Sequence, residues 1–124
     1  MPRLFVGLEL PGRVIDDILT LREDINDVRW QSAAQLHLTL AFIGQVEPAT
    51  ETAIARDLRQ VRGFAPTLQL RSPECPGNSR SSRHLWLPAD PTDELMHLHA
   101  EVHRQLSLNG LSCDARRFRP HVTL

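Results

Sequence analysis

Two tetrapeptides of one pattern, His37-Leu38-Thr39-Leu40 and His121-Val122-Thr123-Leu124, carry the residue types best suited to chemistry in this chain. Imidazole titrates near pH 6.5, so one ring can be neutral while another is protonated close to neutrality. Phosphodiester hydrolysis needs that pair of states. A base removes a proton from the attacking water, and an acid supplies one to the departing ribose oxygen. A threonine hydroxyl beside each histidine can hydrogen-bond the non-bridging phosphate oxygens as charge develops. The scheme calls for no metal and no cofactor. With the histidine, threonine and leucine content of the chain, about 0.05 copies of His-x-Thr-Leu are expected by chance, so the doubled pattern is the signal rather than either histidine alone.

Strand parity explains how such a motif presents its polar groups. Alternate side chains of a strand point to opposite faces. In Leu36–Phe42 this puts Leu36, Leu38, Leu40 and Phe42 on a core face and His37, Thr39 and Ala41 on the other. In the second copy, Val122 and Leu124 oppose His121 and Thr123. Two such strands laid side by side would give a polar strip with two imidazoles and two hydroxyls.

The elements that must hold these strands follow from periodicity. Residues 3–10 alternate as a strand, and Pro11-Gly12 leads into a helix from about Arg13 to Asp24, with Val14, Ile15, Ile18, Leu21 and Ile25 at helical spacing. Leu36 to Ile43 is a strand closed by Gly44, and a second helix begins at Pro48 with Ile54, Leu58 and Val61 as its stripe. Thr67–Arg71 reads as a strand, 71–83 as a Ser/Pro/Gly/Arg-rich loop, and Leu85–Leu87 as a short strand. Pro91 opens a third helix whose core face is Leu95, Leu98, Val102 and Leu106, stopped by Asn109-Gly110. Leu111–Phe118 reads as extended, ahead of the strand that starts at His121.

Within this order lies a faint repeat: RLFVGLELP, a helix and then HLTL, followed by RHLWLPADP, a helix and then HVTL. The alternation predicts a mixed α/β or α+β domain of two similar lobes.

The 124 residues suit one domain, 41% hydrophobic and 23% charged. A formal net charge of −1 excludes nucleic-acid binding by bulk positive charge, though not a small basic cleft acting on an end. Cys75 and Cys113 form no CxxC and read as reduced thiols. Glu9 interrupts the apolar N-terminus, no cleavage site follows, and no apolar run nears the roughly 20 residues that span a bilayer. The expectation is a soluble cytoplasmic monomer with no membrane partner.

Taken with their flanks, these motifs resemble the two-histidine phosphoesterases, and among them the RNA 2′,3′-cyclic phosphodiesterase or 2′-5′ RNA ligase (LigT-like) family. The matching stretches are RLFVGLELP at 3–11, Trp30 ahead of HLTLAFIG at 37–44, SRHLWL at 82–87 and FRPHVTL at 118–124. The resemblance covers essentially the whole chain and implies an α+β fold of two pseudo-symmetric lobes, antiparallel sheets inside and helices outside. The activity it implies is opening of an RNA terminal 2′,3′-cyclic phosphate to a 2′-phosphate, with reversible 2′-5′ RNA ligation as a second activity and RNA processing as the setting. His37 would be the proton donor, His121 the proton acceptor, and Thr39 and Thr123 the phosphate ligands; the substrate would be an RNA 3′ end or a nucleoside 2′,3′-cyclic phosphate. The family continues past its second motif with further strands, so the resemblance implies a domain over residues 1–124 truncated at its C-terminus. His84 stands where the family has an apolar residue.

Arg83 and Arg119 are secondary candidates for substrate phosphates, and Trp30 and Phe42 for contact with a base. Arg80, Arg116 and Arg117 read as solvated surface. On the third helix His99 and His103 have the spacing of a metal pair, but no HExxH and no third ligand accompany them, so no metal site is assigned. A different class of function, a non-catalytic RNA-end or nucleotide-binding module on the same scaffold, stays open at this level.

Overall fold

The computed structural model describes residues 3–22, 30–61, 66–74, 85–111 and 118–124. Its elements run β1 (Arg3–Glu9), α1 (Gly12–Arg22), a 3-10 turn (Ala33–Gln35), β2 (His37–Gln45), α2 (Pro48–Leu58), β3 (Trp86–Pro88), α3 (Asp93–Leu108) and β4 (His121–Thr123). The strands form a sheet in the order β1-β2-β4-β3, with β4 antiparallel to both β2 and β3. The fold class is α+β, one of the two alternatives that the sequence pattern leaves open and the one that the family resemblance implies.

The chain packs as two compact units. One comprises Met1–Gly7, Thr39–Leu68 and Pro91–Phe118; the other comprises Leu8–Leu38, Gln69–Asp90 and Arg119–Leu124. The first buries Leu40, Ile54, Leu95, Val102 and Leu106, and the second buries Leu36, Leu38, Leu87, Val122 and Leu124. Burying a side chain of this size stabilises by roughly 1.5–3 kcal/mol relative to leaving it exposed.

In the second unit the Pro11 carbonyl accepts the first bonds of α1, from Val14 and Ile15, and Ile18 is the buried residue of that helix. Ahead of β2, the 3-10 turn is closed by Gln35, whose side chain accepts from the Ser32 amide at 2.9 Å. Leu124 closes the final motif by donating to Leu85 at 2.9 Å and accepting from Gln31 at 3.0 Å.

In the first unit Pro48 occupies the first turn of α2, where its missing N–H costs nothing. Thr92 caps α3, its hydroxyl accepting from the Leu95 amide at 3.2 Å, and Asp93 and Glu94 lie in the first turn, where the helix dipole favours negative charge. Gly110, at φ +76°, lets the chain turn back so that Leu111 donates to the Leu106 carbonyl. The Asn109 side chain bridges the ends of α3 and α2, donating to Gln105 O and to the Asp57 carboxylate, each at 2.9 Å. That bond, followed by the one from Arg56, holds the Asp57 carboxyl below its usual range.

Several boundaries differ from expectation. Helix α3 starts at Asp93 rather than at Pro91, because the Thr92 hydroxyl provides the cap. Val61 lies beyond α2, tied back to Leu58 by a single 3.1 Å bond. The strand expected at Thr67–Arg71 is reduced to one antiparallel bridge, Leu70 to Ala89. The segment taken as loop from Arg71 begins instead with a second bridge, Glu74 to Trp86, with two 2.8 Å bonds. Asp24, residues 75–83 and residues 112–117 lie outside the described residues.

Phe42 is a correction with a clear cause. Leu38 and Leu40 are buried as predicted, but Ala41 is buried directly after Leu40, so the alternation changes phase and Phe42 is 75% exposed. A one-residue slip moves every later side chain to the other face.

Candidate active site

The pairing of β2 with β4 sets Leu38 opposite Val122, and that of β3 with β4 sets Leu87 opposite Val122. These three side chains form a buried row, with Leu38 and Val122 fully excluded from water. Because side chains alternate, their neighbours lie on the reverse face. Antiparallel register from Leu38–Val122 puts His37 across from Thr123, which is in turn paired with Trp86. His121 is paired with Pro88 on the same face. All of these residues are half-buried, so the strip is accessible while resting on a dry apolar layer.

Both motif rings are anchored in the same way. His37 Nδ1 lies 2.6 Å from the Gln35 carbonyl oxygen, and His121 Nδ1 lies 2.7 Å from the Arg119 carbonyl oxygen. In each case the acceptor belongs to the residue two positions upstream. A carbonyl can only accept, so Nδ1 carries the hydrogen and Nε2 is the nitrogen that gains or loses a proton. The equal offset extends the sequence repeat to the orientation of the rings.

His121 is held further by Trp86, whose ring stacks on the imidazole with centroids 3.7 Å apart and planes 10° from parallel. The Arg119 guanidinium lies 5.7 Å from the centre of the same indole. Burial lowers the His121 pKa from its ordinary value; the Arg119 carbonyl bond opposes that shift and the Arg119 charge adds to it. The outcome favours a neutral imidazole with a lone pair on Nε2, the state a general base needs.

The remaining candidates are distributed as follows. Thr39 is two residues along β2 from His37 and half-buried. Arg119 is exposed, next to the second motif. Trp30 is half-buried, with the Arg22 guanidinium 6.0 Å from its ring centre, and Arg22 also donates to Gln31 O at 2.8 Å. Arg83 and His84 lie outside the described residues. Trp86 is missing from the candidates that the sequence supplies. Its signal was strand parity, since Leu85-Trp86-Leu87 places the tryptophan opposite the two leucines.

On α3, His99 and His103 face each other with ring centroids 4.2 Å apart. His99 stacks on Phe118 and His103 Nε2 lies 3.1 Å from the Leu40 carbonyl oxygen. No group of three or more metal-binding side chains occurs among the described residues. No described helix is long and apolar enough to cross a membrane.

The family model of the 2′-5′ RNA ligase superfamily matches residues 12–124, a stretch that contains both His-x-Thr-Leu motifs. The chain belongs to that superfamily. Among its relatives is the RNA 2′,3′-cyclic phosphodiesterase of Thermotoga maritima, 36% identical over 77% of this chain and 51% of the relative. The enzyme of the same name from Escherichia coli is 32% identical over 98% of this chain and 70% of its own length. Thus the chain spans about half of one superfamily relative and about two thirds of the other. The crystal structure of E. coli LigT complexed with 3′-AMP superposes with a TM-score of 0.81 at 31% identity, covering 98% of this chain and 71% of that one. TT0787 of Thermus thermophilus, at 24% identity and a TM-score of 0.81, shares the superfamily fold.

Proposed function

We propose that this chain hydrolyses the 2′,3′-cyclic phosphate at an RNA 3′ end, or of a nucleoside, to a 2′-phosphate, without a metal or other cofactor. The observation that carries the reading is the juxtaposition of β2 and β4 through Leu38 and Val122, together with the matching Nδ1 anchors of His37 and His121. Relatives named as RNA 2′,3′-cyclic phosphodiesterases support the substrate class.

In this reading water attacks phosphorus and its proton passes to Nε2 of His121. The bond from phosphorus to the 3′ oxygen breaks, and the departing oxygen takes a proton from His37. The Thr39 and Thr123 hydroxyls donate to the non-bridging oxygens, where charge builds up in the transition state. Arg119 and Arg83 supply positive charge to neighbouring phosphates, and Trp30 and Phe42 are surfaces for a base. With a ribose 5′-hydroxyl in place of water, the same two proton transfers in the same direction open the cyclic phosphate to a 2′-5′ linkage, and the reverse reaction breaks that linkage. The two lobes act as one catalytic domain, monomeric and cytoplasmic.

The test is turnover of a nucleoside 2′,3′-cyclic phosphate in EDTA by wild type, His37→Ala and His121→Ala. Wild type should yield the 2′-phosphate, and each substitution should cost on the order of a hundredfold or more. Binding of the nucleotide that survives both substitutions, with no turnover by folded wild type, would indicate a binding module instead.

A further inference from the structure

We propose that Trp86 is a positioning residue for His121, fixing the plane of its imidazole and shielding it from water so that Nε2 is presented to the reacting atoms. The inference deepens the reading above and rests on His121 being the base. It starts from the backbone. Trp86 is tied on both sides, by two 2.8 Å bonds to Glu74 and by the ladder with Thr123 on β4. In that register the residue directly across from His121 is Pro88, so Trp86 reaches the histidine on the diagonal. Diagonal pairs across antiparallel strands lie within reach of aromatic side chains.

The contact then restricts the ring. The carbonyl bond of Arg119 holds one edge of the imidazole, but a single bond leaves rotation about it open. A second aromatic plane 3.7 Å away and 10° from parallel removes that freedom. With edge and face both defined, Nε2 has one direction, and misplacement of a proton-transfer group is costly to the rate. The proline opposite brings no side-chain donor to compete for Nε2.

The indole has two opposing electrostatic effects. Its face attracts an imidazolium, and its bulk removes water from one. Burial is the first cause of the depressed His121 pKa, and the stacked indole covers one face of that ring, so water exclusion is the effect assigned to it. Among the described residues, the other charged or titratable groups on the elements packed here are Arg119, just ahead of β4, His37 on β2, Glu74, which is bonded to Trp86, and Arg71 beside Pro88 with its ion-pair partner Asp90. Arg119 keeps its carbonyl and its charge when Trp86 is changed, so the two contributions separate experimentally.

The experiment compares wild type, Trp86→Ala, Trp86→Phe and His121→Ala in two readouts. One is the pH dependence of kcat and KM for a nucleoside 2′,3′-cyclic phosphate. The other is an NMR titration of the His121 ring in isotopically labelled protein, which needs no turnover. Trp86→Ala should lower kcat on the order of tenfold with KM changed little. The acid limb of kcat/KM and the His121 titration should both move upward, toward pH 6.5. Trp86→Phe, which keeps a flat ring and checks that the site still folds, should restore most of both. A wild-type kcat and an unmoved His121 titration in Trp86→Ala would overturn the proposal. Full activity in His121→Ala would instead overturn the assignment of the base, while the NMR shift would still report whether Trp86 shields the ring.

Discussion

His37 and His121, in one compact unit, each commit Nδ1 to the carbonyl two residues upstream, which leaves Nε2 as the nitrogen that titrates. His99 and His103, in the other unit, are placed differently: His103 puts Nε2 against the Leu40 carbonyl and His99 lies flat on Phe118. The side chain is the same, and burial lowers the pKa of one member of each pair, His121 and His99. What differs is the nitrogen used for anchoring and the face on which the ring sits. A strand with a buried row beneath it lifts its histidines onto a shared polar strip, while a helix packs them among apolar neighbours as pieces of the fold. Residue type alone does not separate these two pairs; the anchor and the sheet face do.

Substitutions should separate the two pairs most sharply in turnover. His37→Ala and His121→Ala are expected to lose on the order of a hundredfold or more in kcat, and His97→Gln on α3 to stay near wild type, measured side by side on one substrate. The next largest effect is on stability. His103→Ala leaves the Leu40 carbonyl without its partner and should cost roughly 1–3 kcal/mol in urea denaturation. Thr92→Ala removes the α3 cap and should cost about 1 kcal/mol with kcat unchanged; a fall in kcat would mean that α3 does more than pack.

The smallest effect concerns pH. His99 is lowered to about 4, through burial first and the neighbouring His103 second. The unfolded chain therefore takes up a proton near pH 6.5 that the folded chain refuses, and stability falls as pH drops from about 6.5 to about 4. His121, also lowered, contributes with the same sign. His99→Gln should reduce the acid-side loss by on the order of 1 kcal/mol, after discounting the exposed part of the ring for solvent screening. Equal losses in wild type and variant would remove His99 from the account.

Much of this was legible in the sequence because period-two and helical patterns are local. Helices α1 and α3, the strand at His37 and the burial of Leu38 and Val122 follow from spacing alone. Where the sequence reading failed, a distant partner decided. The Thr67–Arg71 segment has strand composition but bonds to its neighbour through a single bridge at Ala89. The phase change at Ala41 that exposes Phe42 has no local signature. The Nδ1 anchors were equally hidden, since they depend on backbone carbonyls that any residue supplies. The Trp86 stack needs the register of β3 on β4, which no single segment encodes.

The most direct test of the account is the pH profile of kcat/KM for a nucleoside 2′,3′-cyclic phosphate, measured in EDTA from pH 5 to pH 9. Two imidazoles working as base and acid predict a bell, with an acid limb below pH 6.5 from the depressed His121. A rate that climbs monotonically across the range would contradict the acid–base pair.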